Sequence, residues 1–303
     1  MWPRLQVADW AETRDTLHMW TQIIGKIRLA QSPMMNHWWQ VPLYVSARGL
    51  CTSLIPYGPR GFDMEINLCD HQLCIRSCAE ERLIALESKP VADFYRETMR
   101  ALGDLGIEIE IQPHPNEVHP AIPFADDFTH TTYVAEHAHA FWGQLMAANR
   151  VFTEFRCRFI GKVSPVHLFW GAMDLAVTRF SGRTAPRHPG GAPNVGSWVM
   201  VEGYSHELSS AGFWPGGGGE GSFYAYAYPE PDGFAERPVG PAEAYYSPEN
   251  GQFLLPYEAV RTASDPDGTL IEFLQTTYEA AADLADWDRD ALEDDPARRA
   301  GPR

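Results

Sequence analysis

The sequence predicts an α+β fold with antiparallel sheet, in which a helix–sheet–helix unit occurs twice and the two copies pack as a pseudo-dimer. Three observations lead there. Strand-like runs cluster between helical runs instead of alternating with them, which favours antiparallel over parallel sheet. Apolar residues alternate with polar ones in several runs, as in Phe62-Asp63-Met64-Glu65-Ile66-Asn67-Leu68, the signature of a sheet with one wet face. And Ile24-Gly25-Lys26-Ile27 recurs as Ile160-Gly161-Lys162-Val163, each copy followed by a Ser-Pro pair and then by a histidine beside aromatics, His37-Trp38-Trp39 and His167-Leu168-Phe169-Trp170. An ordered series of matches is better explained by duplication than by chance.

Each element follows from local pattern. Helix one is expected over about 9–30, with Asp9 as N-cap and Glu12 three residues on, the capping-box spacing. Leu17, Trp20, Ile24 and Ile27 form its apolar stripe. Residues 38–86 read as a strand meander. Pro90 and Gly106 bracket a second helix over 91–105, following the preference for proline at helix starts and glycine past their ends. Ile107, Ile109 and Ile111 read as a strand, and the Pro-rich stretch 113–125 as a connector. A long helix is expected over 132–155, then strands near 166–171, 174–181, 198–207 and 222–228. Asp265-Pro266 opens a last helix with Leu270, Phe273, Leu274, Thr277, Ala281 and Leu284 on one side. The halves are drawn as 1–118 and 119–287, with 288–303 as a charged, flexible tail.

The Cys69, Cys74, Cys78 run invites a metal–thiolate reading, which the strand pattern opposes. A tight turn at Asp70-His71 would set Leu68 against Leu73, Ile66 against Ile75 and Glu65 against Arg76, leaving the thiols strung along one polar face. Five cysteines, an odd number in a long chain, point to reduced thiols. The formal charge of −16 repels polyanions, so a nucleic-acid partner is not expected. No apolar run reaches the roughly 18 residues of a membrane helix, so no membrane partner is expected either. The start MWPRLQVADW lacks a basic region followed by an apolar one, hence a cytoplasmic location is the expectation.

Candidate chemistry concentrates in a few places. Read as a strand, 198–207 puts Glu202, Tyr204 and His206 on one face, with Ser205 and Glu207 opposite. A histidine beside a carboxylate and a phenol suits acid–base work or metal binding, and equally a structural hydrogen bond. Gly203-Tyr204-Ser205-His206-Glu207 approaches a nucleophile elbow, but Glu207 stands where a small residue is needed and His206 is the last histidine, so the hydrolase order Ser…Asp…His cannot be met. Glu136-x-x-His139 has di-iron spacing without the second motif such bundles require. Arg14, His18, Gln22 and Lys26 form an i, i+4 ladder on helix one, either its wet face or a row of donors lining a cleft. Lys26 and Lys162 are two of only three lysines; Ile-Gly-Lys is either a repeated site or a repeated turn. Tyr224, Tyr226 and Tyr228 share a strand face, which suggests an aromatic-walled pocket.

The stretches LHMWTQIIGKIRLA with NHWW, SPVHLFWGAMDLAVTRFSGR, YSHELSSAGFWPG and FYAYAYPEP resemble an uncharacterised bacterial family, a domain of unknown function found widely in actinobacteria and proteobacteria. The resemblance runs through about residue 287 and implies no activity. The family's recurring polar positions correspond to His18, Lys26, Asn36, His37, Lys162, His167, Arg179, His206 and Glu207; Arg179 enters only through this resemblance. Together these readings lead to an enzyme acting on a small anionic or aromatic molecule in a cleft where the halves meet. His206, Glu207 and His167 are the expected catalytic groups, with a divalent metal as the candidate cofactor. Lys26, Lys162, Arg179, His37, His18, Tyr204 and Trp170 are expected to hold the substrate. The alternative is a non-catalytic small-molecule or partner-binding protein using the same pocket.

Overall fold

A computed structural model describes residues 2–294. Its first element, α1 (Val7–Gln31), is buried on nearly every side between Leu17 and Arg28, as befits a helix inside a core rather than on its surface. Trp20 stacks on Phe94 of α2 (Val91–Asp104), with ring centroids 4.7 Å apart. The N-cap is Gln6 with no side-chain cap bond, not Asp9, which lies in the first turn.

Between these helices runs the first antiparallel sheet: β1 (Tyr44–Val45), β2 (Gly49–Cys51), β3 (Ile55–Tyr57), β4 (Arg60–Asn67), β5 (Gln72–Ser77) and β6 (Glu81–Ala85). Its order is β1-β2-β4-β5-β6, with β3 pairing on β4. The β4–β5 register is Ile66 opposite Leu73 and Met64 opposite Ile75, two residues from the expected one. The loop explains the shift. Asn67 Oδ1 accepts from the backbone N–H of Cys69 (3.0 Å) and Asp70 (2.9 Å), and His71 takes φ +54°. This side-chain-braced turn spans four residues instead of two. A slip of two keeps every side chain on its face, so Arg76 still reaches Glu65 at 2.8 Å, and the five cysteines are all free.

The second half also opens on a helix, but a further helix interrupts its sheet. After α3 (Ala135–Cys157) come β7 (His167–Phe169), β8 (Asp174–Thr184), α4 (Ser197–Gly203), β9 (His206–Trp214), β10 (Ser222–Tyr228), β11 (Tyr245–Ser247) and β12 (Gln252–Pro256). The sheet is antiparallel in the order β11-β12-β10-β9-β8-β7. Then α5 (Tyr257–Thr262), α6 (Pro266–Leu284) and α7 (Arg289–Leu292) are the last described elements. Asp265 caps α6 by accepting from Gly268 N–H. Of the segment read as a tail, residues 289–292 form α7, and Leu292 carbonyl accepts from Ile160 N–H at 2.8 Å. Residues 295–303 lie outside the described residues.

Several expectations change. The strand read over 198–207 is helix α4 up to Gly203, and β9 begins only at His206. Ile107 and Ile109 are buried, but 107–112 pairs with no strand. The two Ile-Gly-Lys copies differ in backbone: Lys26 lies inside α1, whereas Lys162 lies in the loop after α3; His37 sits in a 3-10 turn and His167 in β7. Among the described residues no helix is long and apolar enough to cross a membrane.

Candidate functional site: an aromatic cavity

The cavity-facing side of the second sheet is set by strand parity. Asp174, Thr178 and Phe180 of β8, Tyr224 and Tyr226 of β10, and His167 and Phe169 of β7 all line one cavity of about 720 Å³. The first half closes it with Lys26, His37, Trp38, Trp39, Asn116 and Glu117, and the segment 192–204 adds Trp198 and Tyr204. Five of the ten tryptophans border it: Trp38, Trp39, Trp170, Trp198 and Trp214.

The ladder on α1 is what assembles this end of the molecule. His18 Nε2–H donates to the carbonyls of Trp170 and Gly171, both at 2.9 Å. Gln22 exchanges two bonds with Asn116, donating to its carbonyl (2.7 Å) and accepting from its N–H (2.8 Å). Lys26 Nζ donates to Asn116 Oδ1 at 2.5 Å and lies 5.4 Å from the centre of the Trp170 ring. From His18 onward the ladder is therefore an inward face, with Gln22 fully covered and Lys26 only 3% exposed; Arg14 at its start is partly exposed and pairs with Asp15. Gly25 makes room for Trp170. A Cβ on residue 25 would come within 2.1 Å of the Trp170 Nε1, and that indole N–H is itself pinned to Val41 carbonyl at 3.0 Å. In this first copy the glycine of the motif thus serves close approach inside a helix, not a turn.

Burial pushes the Lys26 ammonium down to about 8, the expected direction for a cation taken from water. Burial, with the Asp174 charge nearby, pushes the Glu117 carboxyl up to about 7, although Glu117 keeps solvent access. Asp174 is pushed up to about 6 by burial, partly offset by the hydrogen bond that it accepts from Tyr224. Tyr204 and Tyr226 share a hydroxyl–hydroxyl bond of 2.9 Å beside these acids. His167 donates Nδ1–H to Pro165 carbonyl at 2.5 Å, and burial lowers it to about 4, so it is a neutral imidazole. His37, Trp38, Glu117 and Asn194 have φ between +55° and +63°, a backbone region costly for residues other than glycine and common at functional sites.

The other expected site residues lie elsewhere. Arg179 points to the opposite face of β8 and is 1% exposed. Its guanidinium lies 3.5 Å from the Phe155 ring centre and 4.3 Å from that of Tyr278, and it donates to Phe155 carbonyl. It is packed in the core and does not line the cavity. Glu207 accepts from Ser181 and Arg183 (2.9 and 2.8 Å) on that same outer side. Lys162 does not line the cavity but donates to His37 Nε2 at 2.5 Å, while His37 Nδ1–H donates to Gly203 carbonyl at 3.0 Å. His206 stands behind His37, ring centres 5.5 Å apart. His206, Glu207 and His167 do not converge, and among the described residues no three His, Cys, Asp or Glu side chains form a metal-ligand set. Asn116, Glu117 and Asp174 were missed by sequence reasoning. Alternation along β8 could have found Asp174; nothing in the Pro-rich connector marks Asn116 or Glu117.

The Asp174 shift has a testable sign. Its folded pKa exceeds the unfolded value of about 3.9, so the folded chain holds the proton longer. Its contribution to stability therefore falls as pH rises from about 4 to about 6, and is constant above that. Asp174→Asn, which keeps an acceptor for Tyr224, should gain about 2 kcal/mol on the wild type across that interval. Paired thermal melts at pH 4 and pH 7 check this; parallel curves would mean that Asp174 titrates normally.

A family model described as a family of unknown function, DUF5996, matches residues 2–294. The comparison with curated proteins found no match, and neither did that with solved structures.

Proposed function

We propose, from the premise that the chain belongs to the DUF5996 family of unknown function, that it is an enzyme acting on a small planar aromatic molecule that carries an oxygen-bearing polar group. The carrying observation is one aromatic-walled cavity holding an amine shifted down to about 8 and two carboxyls shifted up to about 7 and 6. Groups moved toward neutrality from both sides are what proton transfer near pH 7 needs. The flat walls favour an aromatic occupant through stacking, and Lys26 is the one expected substrate-holding cation that borders the cavity. An ancestral duplication stays a proposal supported by element order, since each half runs helix, antiparallel sheet, helix.

Titration with 2-naphthoate, followed by quenching of the cavity tryptophans, tests the binding. Lys26→Met should weaken it by about tenfold, the worth of one charged hydrogen bond, and added salt should narrow the gap. No saturable quenching would sink the cavity reading. Turnover is tested by incubating wild type and Glu117→Gln with a small-molecule extract of cells. A compound consumed by the wild type and spared by the variant supports catalysis. A compound retained unchanged by both favours the non-catalytic alternative.

A further inference from the structure

We propose that Lys26 is an imine-forming nucleophile, and that the molecule the cavity takes is an aromatic aldehyde or ketone. The inference rests on the cavity reading above and names its substrate class.

The three lysines of the chain stand in three different settings. Lys89 is ion-paired with Glu97 at 2.7 Å and Glu87 at 3.7 Å. Lys162 donates to His37 and stays outside the cavity lining. Lys26 borders the cavity, and among the described residues no carboxylate lies within ion-pairing distance of its Nζ; its hydrogen-bond partner is the neutral amide oxygen of Asn116. A lysine kept from water without a counter-ion gives up its proton readily, and the free amine is the form that attacks a carbonyl. Burial lowers it to about 8, so an appreciable fraction is neutral at physiological pH. Asn116 Oδ1 only accepts and carries no charge, so it orients Nζ in either protonation state without supplying the counter-ion that would hold the proton on. The flat walls beside it, Trp170 above all, fit an aryl group attached to the carbonyl carbon.

Acid groups for the dehydration are at hand. The Lys26 lone pair attacks the carbonyl carbon; a C–N bond forms and the C=O π pair moves to oxygen, which takes up a proton. The nitrogen loses a proton, giving a neutral carbinolamine. Protonation of its hydroxyl lets water leave as the nitrogen lone pair closes the C=N bond; the protonated imine so formed then returns that proton to the acid. Amine and carbonyl thus give imine and water, with no redox change. Glu117, next in sequence to the Asn116 that Lys26 touches, is a cavity carboxyl shifted up to about 7, so it can give and retake the proton.

The test treats the full-length protein with 2-naphthaldehyde and sodium cyanoborohydride, which fixes an imine as a stable secondary amine. Intact mass and peptide mapping then locate the label. One naphthylmethyl group on Lys26 is expected, formed at least tenfold faster than on Lys89, Lys162 or the α-amine. Its rate should rise with pH through about 8 rather than through the ordinary lysine range near 10.4. It should be slowed by 2-naphthoate and absent in Lys26→Met. Labelling spread evenly over the amines, or an unlabelled Lys26, would overturn the inference. If 2-naphthoate still quenches the tryptophans in that case, the aromatic cavity stands without the imine; if it does not, both readings fall.

Discussion

Replacing Arg179 with alanine should cost the fold about 3–5 kcal/mol, the range for truncating a large buried side chain, while leaving 2-naphthoate binding unchanged below the melting transition. The guanidinium is covered to 1% exposure, layered among Phe155, Phe159 and Tyr278. It donates to a carbonyl in the last turn of α3, where the helix dipole favours a cation. Alanine would leave a void walled by three rings and strip Phe155 of a charged donor. Arg179→Met, which refills much of the volume, should recover at least half of the loss. Urea denaturation gives the stability and the quenching titration gives the affinity. A variant of normal stability that fails to bind would restore Arg179 as a substrate holder.

Gly25→Val should cost about 3 kcal/mol and abolish saturable 2-naphthoate quenching, because two effects of opposite sign act there and the larger is steric. A helix-interior glycine gives up about 1 kcal/mol relative to alanine, a gain that valine recovers only in part. Against that, a Cβ would overlap the Trp170 indole at 2.1 Å, and overpacking costs about 1–3 kcal/mol before valine's two methyls are added. Trp170 cannot retreat freely, because its N–H is held by Val41 and its ring lies beside Lys26. Displacing it would also break the Val41 bond, worth about 1 kcal/mol. Denaturation midpoints and quenching measured together decide the matter; wild-type values in both would show that the indole has another place to go.

The parts of the fold that were legible are those fixed by neighbours in sequence. The Asp265 cap, the apolar stripe of α6 and the alternation in β10 are local, and each is found where periodicity places it. What was not legible depends on distant partners. Trp198-Val-Met-Val has β-favouring residues, yet it winds into α4, where Val199 carbonyl takes the Trp38 indole N–H at 2.8 Å and the Trp198 ring meets that of Trp38. Tertiary contact outweighed propensity there, and the imagined face of Glu202, Tyr204 and His206 vanished with the strand. At the site, Lys26, His37, His167, Trp170 and Tyr204 do border the cavity. His18 supports it from behind, and Arg179 and Glu207 lie across the sheet. Glu117 escaped notice because it sits in a connector whose shape is imposed by Gln22 of α1 and by Pro193, whose carbonyl accepts the Glu117 N–H at 2.9 Å.

Among the described residues one antiparallel bridge joins the edges of the two sheets: Leu43, just before β1, pairs with Leu168 of β7, their backbones exchanging hydrogen bonds of 2.9 and 2.8 Å. An unpaired strand edge is a template for joining another chain. Here the terminal strand of one sheet is spent on the terminal strand of the other, within one molecule. The remaining outer edges are blunted differently: β6 carries Glu81 and Arg82 along its rim, and β11 is only three residues long. Separating the two sheets would therefore expose both edges at once. Either half expressed alone should carry one such edge uncovered, a template for self-association.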